Sequence, residues 1–184
     1  MLAVFLGPRR GLPVLPRPPG DEKVIRIAYT QNLQPDPHWR TQPLAVQSQF
    51  ILALWEPLIE CDPVTGQPRP AAAESWTWSD DHLVLTVKLR PDGRWSNGDP
   101  VTARDFVRGW RRLVHQGIDR ASVLFPVKNA FAVHQGRMPG DENLGVEALD
   151  DQTLRVTLAG IRSTFVSVLA DPLLSPVHES MEAA

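Results

Sequence analysis

One cysteine, Cys61, is all the chain has, which excludes an intrachain disulfide and any cysteine-rich zinc site. Net charge is also scarce. Nineteen basic and 21 acidic side chains leave a formal balance of −2, so no global field draws the chain to nucleic acid or to an anionic membrane. No apolar run is long enough to cross a bilayer. The HExxH spacing of zinc proteases, the Gly-rich phosphate loop and the GxSxG nucleophile elbow are all missing.

What is present describes an ordinary globular protein. A chain of 184 residues, 42% hydrophobic and 22% charged, can build one domain with a proper core, or two small ones. Its 18 prolines gather between the periodic segments, which fits a loop-rich α/β chain better than a helical bundle. The N-terminal MLAVFLGPRRGLPVLPRPPG holds a short apolar run, Leu2–Leu6, that no positive charge precedes and that Pro8-Arg9-Arg10 ends. It lacks the basic start, long apolar centre and small-residue cleavage site of a secretory signal. Residues 1–22 are expected to be a leader without fixed order.

The most strongly patterned stretch is Leu83–Leu113. Leu83, Leu85, Val87 and Leu89 alternate with Val84, Thr86 and Lys88, the period of a strand with one buried face. Pro91-Asp92-Gly93 and Asn97-Gly98-Asp99-Pro100 are turn sequences on either side of Trp95. Thr102 with Asp105 three residues on resembles a capping box. Phe106, Val107, Trp110, Leu113 and Val114 then recur on one helical face, leaving Arg104, Arg108, Arg111 and Arg112 expected in water.

Around this block the chain reads as strands, turns and short helices. Val24–Tyr29 alternates as a strand, 31–43 is loop, and Ala45–Trp55 carries a helical stripe of Val46, Phe50, Ile51 and Leu54 that Pro57 stops. Leu58–Cys61 is a short strand into the turn Asp62–Gly66, and Trp76 to Leu89 reads as a hairpin through Ser79-Asp80-Asp81-His82. Gly117 suits a helix C-cap. Helical turns are expected within Ala121–Val127 and Ala130–Gln135, a second hairpin over Val146–Leu158, and a short helix over Ser163–Leu169.

Several residue groups invite a chemical reading. The five histidines, His38, His82, His115, His134 and His178, lack metal-ligand spacing and read as loop or surface residues. Asp80-Asp81 and Asp150-Asp151 could be paired carboxylates, but both lie between strands, where Asp serves turn formation. Cys61 has no histidine beside it in sequence and is a poor nucleophile. Of the six tryptophans, Trp39 lies in a loop, while most of the others take structural positions.

Three separated blocks carry a family resemblance, in the right order. WEPLIECDPVTGQPRP, then AAAESWTWSDDHLVLTVKLRPDGRWSNGDPVTARDFVRGWRRL, then LGVEALDDQTLRVTLAG followed by LADPLLSPVHES, resemble the extracellular solute-binding proteins of family 5. These are the oligopeptide- and dipeptide-binding receptors of ABC importers, and the resemblance runs from about Val24 to Ser180. It implies an α/β (mixed) chain: residues 23–184 as the N-terminal lobe of a periplasmic-binding-protein type II fold, with a mixed sheet, hairpins and flanking helices. The second lobe is absent from this sequence.

The resemblance also implies a function. Family members capture a solute in a cleft between two lobes that close about a hinge. The peptide members bind the ligand backbone as an added strand. The expected partners are a peptide or similar solute and the ABC permease subunits, in the periplasm or outside the cell, with no cofactor, metal, catalytic residue or nucleic acid. Two segments fall where the first lobe meets ligand: the loop His38, Trp39, Arg40, Thr41, Gln42, Pro43 and Leu44, and the stretch Ser122, Val123 and Leu124, with Leu124 nearest to a frequent family tyrosine. The acidic group that pairs with a peptide's amino terminus belongs to the second lobe. Two other readings stay open: a solute-sensing or interaction domain related to the lobes of regulators, and a non-functional truncated paralogue.

Overall fold

The computed structural model describes residues 3–5, 26–28, 54–115 and 119–181. In chain order its strands are Ala3–Phe5 (β1), Arg26–Ala28 (β2), Ile59–Cys61 (β3), Pro68–Pro70 (β4), Ala73–Trp78 (β5), Val84–Leu89 (β6), Val146–Asp150 (β7) and Thr153–Thr157 (β8). Its α-helices are Ala103–His115 (α1), Ala130–His134 (α2) and Phe165–Val168 (α3), with 3-10 turns at Asp119–Leu124, Asp141–Asn143, Pro172–Leu174 and Glu179–Met181. The architecture is mixed α/β. Strand β2 falls within the expected strand Val24–Tyr29 and pairs in parallel with β1, inside the stretch read as a leader. The expected helix Ala45–Trp55 lies outside the described residues except for Leu54, which is helical, and Trp55. Gly117 also lies outside them.

Alternation along β6 and β8 decides the main sheet. It has four strands in the order β5-β6-β8-β7, every neighbour antiparallel. The register sets Leu85 opposite Val156 and Val87 opposite Leu154, and all four are 0% exposed. A shift of one residue would turn this whole set to water, so burial fixes the register. Against this face lies α1, whose Phe106, Trp110 and Leu113 are also 0% exposed. Each such side chain contributes roughly 1.5–3 kcal/mol by leaving water.

Both hairpin turns are closed by aspartate, as their sequences predict. Asp81 Oδ1 accepts from Ser79 Oγ at 2.5 Å and from the Leu83 amide at 3.0 Å. Asp150 accepts from the Gln152 amide at 2.8 Å and from Thr153 Oγ1 at 2.7 Å. The second turn does more than reverse the chain: the Ala103 amide, an orphan donor at the start of α1, donates to Asp151 O at 2.8 Å. Close approach makes glycine necessary at one place. A Cβ on Gly145 would stand 2.6 Å from Thr157 O and 2.8 Å from Lys128 Cβ.

The chain returns over the start of α1 through 171–178. Leu173, Leu174 and Val177 are buried there. Trp110 Nε1 donates to Leu174 O at 3.0 Å, and the Val177 amide donates to Asp105 O at 3.1 Å. Arg120 pairs with Asp171 at 3.5 Å. This return segment is thus fastened to the helix by directed bonds and by burial.

Candidate functional site

After α1 the chain enters the 3-10 turn Asp119–Leu124, the described part of the surface to which the family resemblance assigns ligand contact. Ala121 and Leu124 are 0% exposed and root the turn in the core, while Ser122 is exposed and Val123 half-buried. Leu124 is buried in the core here, so the outward residues of the turn are Ser122 and Val123. The Phe125 amide donates to Ser122 O at 3.1 Å. Phe125 meets Phe131 edge to face at 5.0 Å and the His134 ring at 5.4 Å. His134 Nδ1 lies 3.1 Å from Val114 O, so this histidine is held at the end of α1. The other expected contacts, His38, Trp39, Arg40, Thr41, Gln42, Pro43 and Leu44, lie outside the described residues.

The opposite end of α1 is a polar hub. Asp105, 6% exposed, accepts on Oδ2 from the Thr102 amide at 2.9 Å, from Thr102 Oγ1 at 3.2 Å and from Trp95 Nε1 at 3.2 Å. On Oδ1 it accepts from Arg108 Nη1 at 2.6 Å. A buried carboxylate survives when its oxygens are paired in this way. Half of the expected capping box is therefore present: Asp105 reaches back to the Thr102 amide, but the threonine hydroxyl donates to the same carboxylate. The expectation that Arg108 stays in water fails. Its side chain is 19% exposed, and Nη1 also donates to Val177 O at 2.9 Å. The Asp105/Arg108 spacing of three, one helical turn, is the sequence signal for this pair. Arg104 is exposed and faces Asp151 at 3.5 Å.

Trp95 is held between its two turns as its flanking sequence predicts. Its amide donates to Asp99 O at 2.9 Å, and the Gly98 amide donates to Trp95 O at 2.9 Å, with Gly98 at φ +94°. A contact that sequence reading missed closes the arrangement: His178 Nε2 lies 3.0 Å from Asp99 Oδ2. No spacing rule links residues so far apart. A cavity of about 110 Å³ lies alongside, lined by Trp55, Glu56, Arg90, Trp95 and Pro176 among others. A wider, open depression of about 580 Å³ lies between Leu54–Cys61 and Ala170.

The remaining chemical candidates resolve into turn geometry. Hydrogen bonds from the Thr65 and Val64 amides hold the Asp62 carboxyl below its ordinary value of 3.8. The Ser79 hydroxyl, then the Leu83 amide, do the same for Asp81. Thr153, through its hydroxyl, and then the Gln152 amide lower Asp150. These carboxylates accept local bonds in their ionised form. Asp80 and Asp151 are exposed beside them. His82 sits at φ +55° in the β5–β6 turn, and Cys61 is exposed at the end of β3. Among the described residues no group of three or more His, Cys, Asp or Glu could hold a metal, and no helix is long and apolar enough to cross a membrane.

The model of the bacterial extracellular solute-binding proteins, family 5 Middle, matches residues 67–184. The chain belongs to this family. Among its curated relatives, the periplasmic oligopeptide-binding protein OppA of Salmonella typhimurium is 40% identical over 138 residues, 73% of this chain and 25% of that protein. The dipeptide-binding protein DppE of Bacillus subtilis is 36% identical over 118 residues, 63% of this chain and 22% of DppE. Of solved structures, Listeria monocytogenes OppA bound to peptide is similar with a TM-score of 0.79 at 33% identity, over 89% of this chain and 32% of that one. The substrate-binding domain of a Bacillus anthracis oligopeptide ABC transporter gives 0.76 at 39%, over 84% and 30%. The family 5 chain described here thus spans about a quarter of its curated relatives' length.

Proposed function

We propose that this chain is the N-terminal part of the solute-binding component of a peptide-type ABC importer. It works outside the cytoplasmic membrane, captures an oligopeptide or similar solute without catalysis, and presents it to the permease. The observation that carries this reading is the likeness to peptide-bound Listeria OppA, with a TM-score of 0.79 at 33% identity. The architecture is compatible with it. An interlocked core positions the turn Asp119–Leu124, whose exposed Ser122 and half-buried Val123 are the described residues proposed to meet ligand, together with the loop 38–44. A pocket gains affinity by enclosing its ligand, and this lobe supplies one wall.

The test has two arms. Calorimetry of the isolated chain against a mixture of short peptides is expected to give no saturable heat. Micromolar binding would overturn the view that a second wall is required. Replacing the matching part of Listeria OppA with residues 67–181 is expected to preserve peptide binding. A folded chimera that binds no peptide would overturn the assignment of this chain to peptide capture.

A further inference from the structure

His178 joins the return segment to a turn 79 residues earlier in the chain. Its Nε2 lies 3.0 Å from Asp99 Oδ2, and its ring meets Trp95 edge to face at 5.3 Å. On the other side of the ring, Nδ1 is 3.2 Å from the Ser180 amide nitrogen and 2.9 Å from Ser180 Oγ. An amide can only donate, so Nδ1 must accept. The single proton of the neutral ring then sits on Nε2 and is donated to Asp99. Asn97 Nδ2 donates to the same Asp99 oxygen at 2.6 Å and holds it in place.

A second proton goes to Nδ1, and its effects on the two sides of the ring are opposite. The bond to Asp99 becomes charge-assisted and gains strength. The Ser180 amide now faces another N–H and loses its acceptor, while Ser180 Oγ turns from donor to acceptor and keeps its contact. Of the charged groups on the elements that meet here, Asp99 touches the ring. Asp99 comes from the Trp95 turn. From α1 come Asp105, reached through the shared Trp95 indole, and Arg108, bonded to the neighbouring Val177 carbonyl. Glu179, on the same segment, is exposed. We propose that His178 is a proton-operated clasp: neutral, it holds both Asp99 and the 3-10 turn Glu179–Met181; protonated, it tightens on Asp99 and releases the Ser180 amide. Acid would then fasten the segment before 178 and loosen the turn after it.

Nitrogen-15 NMR of the chain itself tests this. At about pH 8 the His178 ring is expected to carry its proton on Nε2. Between about pH 8 and about pH 5, amide-exchange protection at Ser180, corrected for the unstructured rate, should fall about threefold to tenfold, the scale of one hydrogen bond. Protection at Val177, whose amide donates to Asp105 O, should not fall. His178→Gln should abolish the pH dependence at Ser180, whereas Asp99→Asn should leave it in place. A proton on Nδ1 at pH 8, flat protection at Ser180, parallel loss at Val177, or an unchanged response in H178Q would each overturn the proposal. The wild-type readings decide it even where a variant fails to fold.

Discussion

The two ends of α1 are built on different principles. At its start, the Asp105 carboxylate gathers bonds from Thr102, Trp95 and Arg108, and the Asp105 backbone carbonyl accepts from the Val177 amide of the return segment. Beyond its end, the turn Asp119–Leu124 is rooted by the buried Ala121 and Leu124, with backbone bonds and the Arg120–Asp171 pair around it. Directed bonds fix angles and tolerate little change. Apolar roots fix position and leave the outward residues open to substitution.

Substitutions can break this contrast in order of effect. Trp110→Ala should cost about 3–5 kcal/mol in urea unfolding, since it removes the largest fully buried side chain among the described residues and the donor to Leu174 O. Asp105→Ala should cost about 3 kcal/mol or more, since it breaks a buried ion pair with Arg108 and removes the acceptor of Thr102 and Trp95, with Asp105→Asn falling between it and wild type in the same assay. At the other end, Leu124→Ala should cost about 2–4 kcal/mol, while Ser122→Ala, two residues away, should stay within about 0.5 kcal/mol. Equal losses at 122 and 124 would remove the distinction between root and surface.

The smallest expected effect is acid sensitivity of the turns. Asp62, Asp81 and Asp150 have carboxyls lowered from 3.8 in the folded chain. A lowered folded value means that the ionised turn adds stability above 3.8, and that this is lost as pH falls from there through the folded value. Thermal melts between about pH 5 and about pH 2 should therefore show a falling limb that Asp81→Asn and Asp150→Asn make shallower. Because all three groups lie at the surface, each change should be slight.

Period and punctuation made most of the fold legible. The alternation of 83–89 and 153–158, the aspartate turns and the stripe of Phe106, Trp110 and Leu113 each state a local preference that the core satisfies. The contacts that join distant segments were not legible. His178 to Asp99 and Arg108 to Val177 O depend on where the return segment lands, and nothing in their local sequence carries that information. Arg108 looked like one more charge on a wet face because helical periodicity sees one helix, not the segment laid over it. At the candidate site, sequence placed 122–124 on one short turn, but only packing separates the exposed Ser122 from the buried Leu124.

The sheet order carries a consequence for how this chain reaches its native state. Its central pair, β6 with β8, joins residues far apart: Lys88 Nζ meets Thr153 Oγ1 across 65 positions. The two hairpins beside it are local. Closing the long loop sacrifices chain entropy before any ladder contact repays it, and such non-local pairing slows folding. The β5–β6 and β7–β8 hairpins are therefore expected to form early and to wait for α1, whose first amide bonds to the β7–β8 turn, to bring the two halves into register.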